Sequence, residues 1–226
     1  MKPALIALDA VGTLIRPTES ISLVYQRYGQ QFGCPLSKQT IKARFQAGRQ
    51  KLFGHSQSFP SSEMIEWQRW RQLVRSVFEE MDSPEIDDLF NQLWNHYAQP
   101  TSWQLFPEST DCLNRLWQAG HQVVIASNFD KRLLKICETL QPLDQIQHVF
   151  YSTRLGFCKP DQRFFQAIKQ TLPDFPRYVM AGDDPINDVD AAKLAGFVAF
   201  HVARPTVDLN EFANRLPQLL DSVDDC

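Results

Sequence analysis

Ala4-Leu5-Ile6-Ala7-Leu8-Asp9-Ala10-Val11-Gly12-Thr13-Leu14 is the stretch whose reading decides the fold. A short apolar run is followed by one carboxylate and a turn. The run is too short for a helix and lacks period-two alternation, which suits a central strand of a parallel sheet covered on both faces. Asp9 then stands at the carboxyl end of that strand, where open α/β sheets hold their ligands. Gly12 gives the backbone the freedom a tight turn needs. A buried strand that merely ends in an Asp-containing turn reads the same way here, so the flanking sequence has to decide.

Immediately downstream, Ile15-Arg16-Pro17-Thr18-Glu19-Ser20 is polar and reads as a linker. Beyond it, up to about residue 100, apolar residues recur at helical spacing. Ile21, Val24, Tyr25 and Tyr28 share one face, and Ile41, Phe45, Gly48 and Leu52 another. Trp67, Trp70, Leu73, Val74, Val77 and Phe78 form a third stripe, and Ile86, Leu89, Phe90, Leu93, Trp94 and Tyr97 a fourth. Ser37, and Ser61 or Ser62, are suited to cap the second and third helices. The pattern predicts a four-helix unit with its own apolar faces, in which the aromatic stripe is core packing. The basic patches around Lys42, Arg44, Arg69 and Arg71 read as solvated helix faces, with contact to an anionic substrate as the other use.

From Trp103 onward, helices alternate with short apolar strands. Helices are predicted over 111–119, 131–140 and 189–194, with another opening at Lys159-Pro160-Asp161. Strands are predicted over 122–126, 149–152, 178–181 and 197–202. Such alternation argues a parallel sheet with helices on both faces. The fold class is therefore α/β: a Rossmann-like parallel sheet core, residues 1–15 and 101–226, with an inserted four-helix cap, residues 16–100.

Bulk properties narrow the function classes. A chain of 226 residues that is 43% hydrophobic can bury a sizeable core. A net charge of -3 gives no nucleic-acid or membrane footprint. No apolar stretch approaches the ~20 residues of a membrane span, and the apolar start, broken by Asp9, does not read as a signal peptide. Cys34, Cys112, Cys137, Cys158 and Cys226 lack metal-type spacing, which points to reduced thiols and a cytoplasmic location. Cys158 reads as a packing residue. His55, His96, His121, His148 and His201 form no zinc pattern, and Asp224-Asp225 reads as a solvated tail.

The predicted strand ends collect chemistry. Asp9 and Thr13 follow the first strand, Ser127 and Asn128 the second, Lys159 the third, and Asp183, Asp184 and Asp188 the fourth. A doubly wound sheet brings these to one rim. A carboxylate such as Asp9 can attack phosphorus or carbon. Asp9 with Asp183 and water makes a hard-oxygen Mg²⁺ site, which offsets repulsion between the nucleophile and a phosphate dianion. Ser127, Asn128 and Lys159 can bind the remaining oxygens, and a helix starting near Ile186 adds an electropositive end. Asp184 reads as a helix-capping or supporting residue, and Asn187 as a support for Asp188.

These residues resemble the haloacid dehalogenase superfamily of hydrolases, in the branch with a helical cap after the first strand. The resemblance covers nearly the whole chain. The first motif, DxDGT and a hydrophobic residue, stands as Asp9-Ala10-Val11-Gly12-Thr13-Leu14. The second, a strand-end Ser or Thr, matches Ser127, and the third, Lys before Pro, matches Lys159-Pro160. The fourth, GDxxxxD, matches Gly182-Asp183-Asp184-Pro185-Ile186-Asn187-Asp188. Within that branch, Ser127-Asn128-Phe129-Asp130-Lys131-Arg132-Leu133 is similar to the haloacid dehalogenase-like hydrolase domain-containing and rhythmically-expressed-gene subgroup. The resemblance implies Mg²⁺-dependent phosphatase activity on a small phosphorylated substrate, with Asp9 and Lys159 catalytic. It implies Thr13, Ser127, Asn128 and Lys159 on the substrate. It puts the metal at Asp9, Asp183, Asp188 and the backbone carbonyl of Val11.

The departure is at Val11, where family phosphatases carry a second Asp that protonates the leaving alcohol and later activates water. Valine cannot move a proton, and such help is typically worth ~10²–10⁴-fold in rate. Three readings remain open: a slow or specialised phosphatase favouring good leaving groups, a 2-haloacid dehalogenase, or a non-catalytic protein that binds a phosphorylated ligand or a protein partner. Dehalogenases of this superfamily also lack the second Asp, but they work without Mg²⁺ and usually replace the acidic fourth motif. Asp183 and Asp188 therefore argue against dehalogenation.

Overall fold

A computed structural model describes residues 3–54 and 59–221. His55, Asp224, Asp225 and Cys226 lie outside the described residues. In chain order, β1 (Leu5–Leu8) and β2 (Ile15–Pro17) precede four helices: α1 (Ile21–Gln31), α2 (Lys38–Phe53), α3 (Glu63–Val77) and α4 (Ser83–His96). Then come β3 (Trp103–Leu105), α5 (Ser109–Gln118), β4 (Gln122–Ser127), α6 (Arg132–Thr139), β5 (Val149–Tyr151) and α7 (Ser152–Leu155). The chain continues through α8 (Gln162–Thr171), β6 (Tyr178–Gly182), α9 (Ala191–Leu194), β7 (Val198–His201) and α10 (Leu209–Asp221).

The described residues divide into two units, one of 3–16, 59–62 and 105–221, the other of 17–54 and 63–104. The first is an α/β unit around a five-stranded parallel sheet of order β5-β4-β1-β6-β7. All four residues of β1 are fully buried, as expected of a central strand. On one face, Leu5 and Ala7 pack with Val124, Ala126, Met180 and the Phe164, Phe165 and Ile168 face of α8. Residues 59–62 belong to this unit, although the sequence texture groups them with the helices. Ser61 N donates to Gly156 O at 2.9 Å, and Pro60 bridges Phe157. Both contacts run through the backbone, so side-chain texture carries no trace of them.

The second unit holds the four expected helices. Ser37 caps α2, its hydroxyl accepting from Thr40 N at 3.0 Å. Ile41, Phe45, Leu73, Val74, Val77, Phe78, Ile86, Leu89, Phe90 and Leu93 form the core, with Trp67, Trp70 and Trp94 packed against it. The basic patches are more engaged than a solvated face suggests. Arg71 pairs Asp87 through two 2.7 Å bonds, and Arg44 pairs Glu80 in the same way while also donating to Val77 O.

Several boundaries differ from expectation. The helix expected over 189–194 is instead a wide π-type turn, Pro185–Asp190, followed by the short α9. Lys159 and Pro160 precede α8, and Asp161 is its N-cap, accepting from Arg163 N at 2.9 Å. α10 carries its own signal, with Leu209, Phe212, Ala213, Leu216 and Leu220 buried on one face and Asp208 capping Asn210 N and Glu211 N. Among the described residues no helix is long and apolar enough to cross a membrane.

His121 is buried at the foot of the sheet, its Nδ1 accepting from Ala4 N at 3.1 Å. Burial lowers its pKa from the usual 6.5, so the unfolded chain takes up the proton first. Stability from this residue is complete above about pH 6.5 and declines as the pH falls through that value toward the folded pKa. Urea unfolding at about pH 7.5 and about pH 5 is expected to show a smaller acid loss in His121→Gln than in the native chain. Equal acid losses would contradict this role for the imidazole.

Candidate active site

Parallel register is what gathers the site. Leu8 stands opposite Ile125 on one side and Ala181 on the other, so β1, β4 and β6 end at one rim. Asp9, Ser127 and Asp183 emerge there together, and Asp9 N extends the ladder with a 3.0 Å bond to Ala181 O. The oxygens of Asp9, Asp183 and Asp188 lie within 4.8 Å of one another. Asp9 and Asp188 are buried and Asp183 is exposed.

One ammonium holds this group. Lys159, buried, donates to Asp9 Oδ1 at 2.9 Å, Asp188 Oδ1 at 2.5 Å and Ala126 O at 2.7 Å. Its three protons are thereby used. Burial alone would lower its pKa, but the charges of Asp188 and Asp9 outweigh burial and hold it charged. The carboxylates feel the opposite imbalance. Burial, with repulsion from Asp183, raises Asp9 against the pull of Lys159. Burial, with repulsion from Asp9, pushes Asp188 up to about 6 against the same pull. Asp9 and Asp188 thus share the buried Lys159 ammonium, and the exposed Asp183 carboxylate stands close to both.

Two glycines make room for the carboxylates. A Cβ on Gly182 would collide with the Asp188 carboxylate, and one on Gly12 with the Asp183 carboxylate. Gly12 also has φ +98°, which a residue with a side chain rarely adopts.

The turn after Asp9 has an informative carbonyl inventory. Ala10 O accepts from the backbone N–H groups of Thr13, Leu14 and Ile15. Gly12 O and Thr13 O accept from Arg204, and Leu14 O from Phe106 N and Ser109 Oγ. Among the described residues, nothing donates to Val11 O. Val11, a half-buried residue two positions after Asp9, therefore has an unengaged carbonyl next to Gly12, which abuts the Asp183 carboxylate, and hard oxygens of this kind fit a divalent cation.

The other expected residues are at this rim with altered duties. Ser127 is buried and hydrogen-bonds Asp9. Asn128 clamps the Lys159 backbone, donating from Nδ2 to Lys159 O and accepting at Oδ1 from Lys159 N, both at 2.8 Å. One Nδ2 proton remains on this exposed side chain. Thr13, expected on the substrate, is fully buried, and its hydroxyl makes a long 3.5 Å bond to Asp183.

Asp184 caps the wide turn, accepting from Ile186 N and Asn187 N at 2.9 Å. Those N–H groups are therefore spent, and the expected electropositive helix end is not open to a ligand. Asn187 braces Asp184 at 2.9 Å in place of Asp188, and its buried Oδ1 has no partner among the described residues. Cys158 is buried as a packing residue. Sequence reasoning missed Arg204, Glu108 and His201, whose Nε2 sits 3.1 Å from Asp183 O. Their site partners are mostly backbone oxygens, which leave no spacing to read.

A family model for haloacid dehalogenase-like hydrolases matches residues 3–196. The chain belongs to this family. Among its relatives, haloacid dehalogenase-like hydrolase domain-containing protein 3 of Bos taurus is 26% identical over 239 aligned positions, covering 97% of this chain and 93% of that protein. Two solved haloacid dehalogenase-like structures show the same fold. YfnB from Bacillus subtilis, solved bound to magnesium, gives a TM-score of 0.75 at 18% identity, covering 96% of this chain and all of that one. The L-2-haloacid dehalogenase RSc1362 gives 0.69 at 15% identity, covering 96% of this chain and all of that one.

Replacing Lys159 by Met strands buried carboxylates without their cation. Metal-free Lys159→Met is expected to lose about 3–5 kcal/mol in urea unfolding, the usual cost of breaking a buried ion pair from one side. A loss below about 1 kcal/mol would show that the carboxylates do not depend on the ammonium.

Proposed function

We propose that this family member is a Mg²⁺-dependent phosphatase of a small phosphorylated metabolite, working through covalent attack by Asp9. The observation that carries the reading is the meeting of the Asp9, Asp183 and Asp188 carboxylates, whose oxygens lie within 4.8 Å of one another. Asp9, Asp183 and Val11 O would hold the ion, with Asp188 in reach. Bound there, Mg²⁺ would offset the surplus charge and polarise the phosphoryl group. The magnesium found with YfnB supports the choice of ion.

The chain's own residues then divide the work. Lys159 holds Asp9 by one oxygen and adds positive charge where phosphate oxygens gather. The remaining Asn128 proton, and the Ser127 hydroxyl once it turns from Asp9 to the substrate, are the neutral donors we assign to those oxygens. An Asp9 oxygen forms a bond to phosphorus as the phosphorus–alkoxide bond breaks, and the alkoxide leaves with the electron pair. Water then attacks phosphorus and releases Asp9 and inorganic phosphate. Neither step receives a proton relay from Val11, so leaving groups that need no protonation are favoured.

Dehalogenation is the second reading, favoured by Val11 because a departing halide needs no proton. Against it, a 2-haloacid brings one more carboxylate to a site already rich in them. Assays with and without Mg²⁺ on p-nitrophenyl phosphate, an alkyl phosphate and 2-chloropropionate separate the two. The expected result is Mg²⁺-dependent phosphate release that Asp9→Asn abolishes. Val11→Asp is expected to raise alkyl phosphate turnover by at least ~10-fold more than that of p-nitrophenyl phosphate. Metal-independent chloride release without phosphate release would overturn the proposal.

A further inference from the structure

Arg204, in the loop between β7 and α10, is joined to the turn after Asp9 across most of the sequence. Its Nε donates to Gly12 O at 3.2 Å and its Nη2 to Thr13 O at 2.7 Å. Its Nη1 pairs with Glu108, which is itself mostly buried. The face of the guanidinium lies over the Phe106 ring, 3.7 Å from the centroid. One planar group thus engages two successive carbonyls, a carboxylate and an aromatic ring. A rigid fork of N–H donors can do this and a lysine ammonium cannot.

The carbonyls so engaged directly follow the one left open. The Val11–Gly12 peptide is pinned on its N–H side, where Gly12 N donates to Ile15 O at 2.9 Å. The next two carbonyls are pinned by Arg204. Between them they fix the plane of the peptide that ends in the free Val11 oxygen. We infer that Arg204, oriented by Glu108 and Phe106, is a positioning residue that presents the Val11 carbonyl to a divalent cation. The inference rests on the metal-dependent reading above and adds the device that sets its backbone ligand. Supports of this kind typically change metal affinity by about 10–100-fold when removed.

Calorimetric titration of the full chain with Mg²⁺ alone tests it, beside melting of each metal-free protein. Arg204→Lys keeps the charge but loses the fork, and is expected to weaken Mg²⁺ binding about tenfold or more. Glu108→Gln releases the far side of the guanidinium and is expected to weaken it in the same direction by less. His121→Gln, remote from the turn in the same unit, is expected to lower the melting temperature without moving Mg²⁺ affinity, which separates positioning from general stability. Mg²⁺ binding by the native chain with an unchanged constant in both Arg204→Lys and Glu108→Gln would overturn the inference alone. No Mg²⁺ uptake by the native chain would overturn the metal reading together with it. Should Arg204→Lys fail to fold, Glu108→Gln decides: weakened uptake supports the inference and unchanged uptake overturns it.

Discussion

Asp9, Asp183 and Asp188 crowd together at the carboxyl rim of the sheet, with the Lys159 ammonium bonded to two of them, and the arrangement around them answers that crowding. Burial makes each unpaired charge costly, so Lys159 is anchored from several sides at once. Asp9 and Asp188 take two of its protons, Ala126 O takes the third, and Asn128 holds its backbone. Gly182 exists to let Asp188 come close, and Gly12 to let Asp183 do so. What remains unbalanced is negative charge, and a hard cation is the natural complement.

The turn after Asp9 is built by different means. Between Ala10 and Leu14 its carbonyls are taken up by the turn itself, by the 106–109 segment and by Arg204, except Val11 O, which has no donor among the described residues. The side chain of Val11 cannot relay a proton, while its backbone oxygen stays open. In the proposed reaction such a site would still bind a substrate and attack it with the Asp9 carboxylate, and would be slow wherever a proton has to move.

Asp9, Ser127, Lys159 and Asp183 were legible in the sequence because parallel register converts a position after an apolar run into a position on one rim. The four helical stripes were legible for the same kind of reason, since burial imposes a period. What escaped was directional or carried by backbone. Thr13 and Asn128 were placed correctly, but no pattern says that one hydroxyl turns to Asp183 or that one amide closes on the Lys159 backbone. Residues 59–62 join the sheet unit through main-chain contacts. Arg204 binds two carbonyls nearly two hundred positions earlier in the chain, and a carbonyl has no residue identity to recognise.

The most direct test of the central claim, that Asp9 becomes phosphorylated, is chemical trapping. The native chain would be mixed with acetyl phosphate and Mg²⁺, quenched with borohydride, and its peptides examined by mass spectrometry. Asp9 is expected to be reduced to homoserine, with the trapped form accumulating because Val11 cannot activate the water that would clear it. Phosphate release with Asp9 unmodified, or modification at another carboxylate, would contradict it.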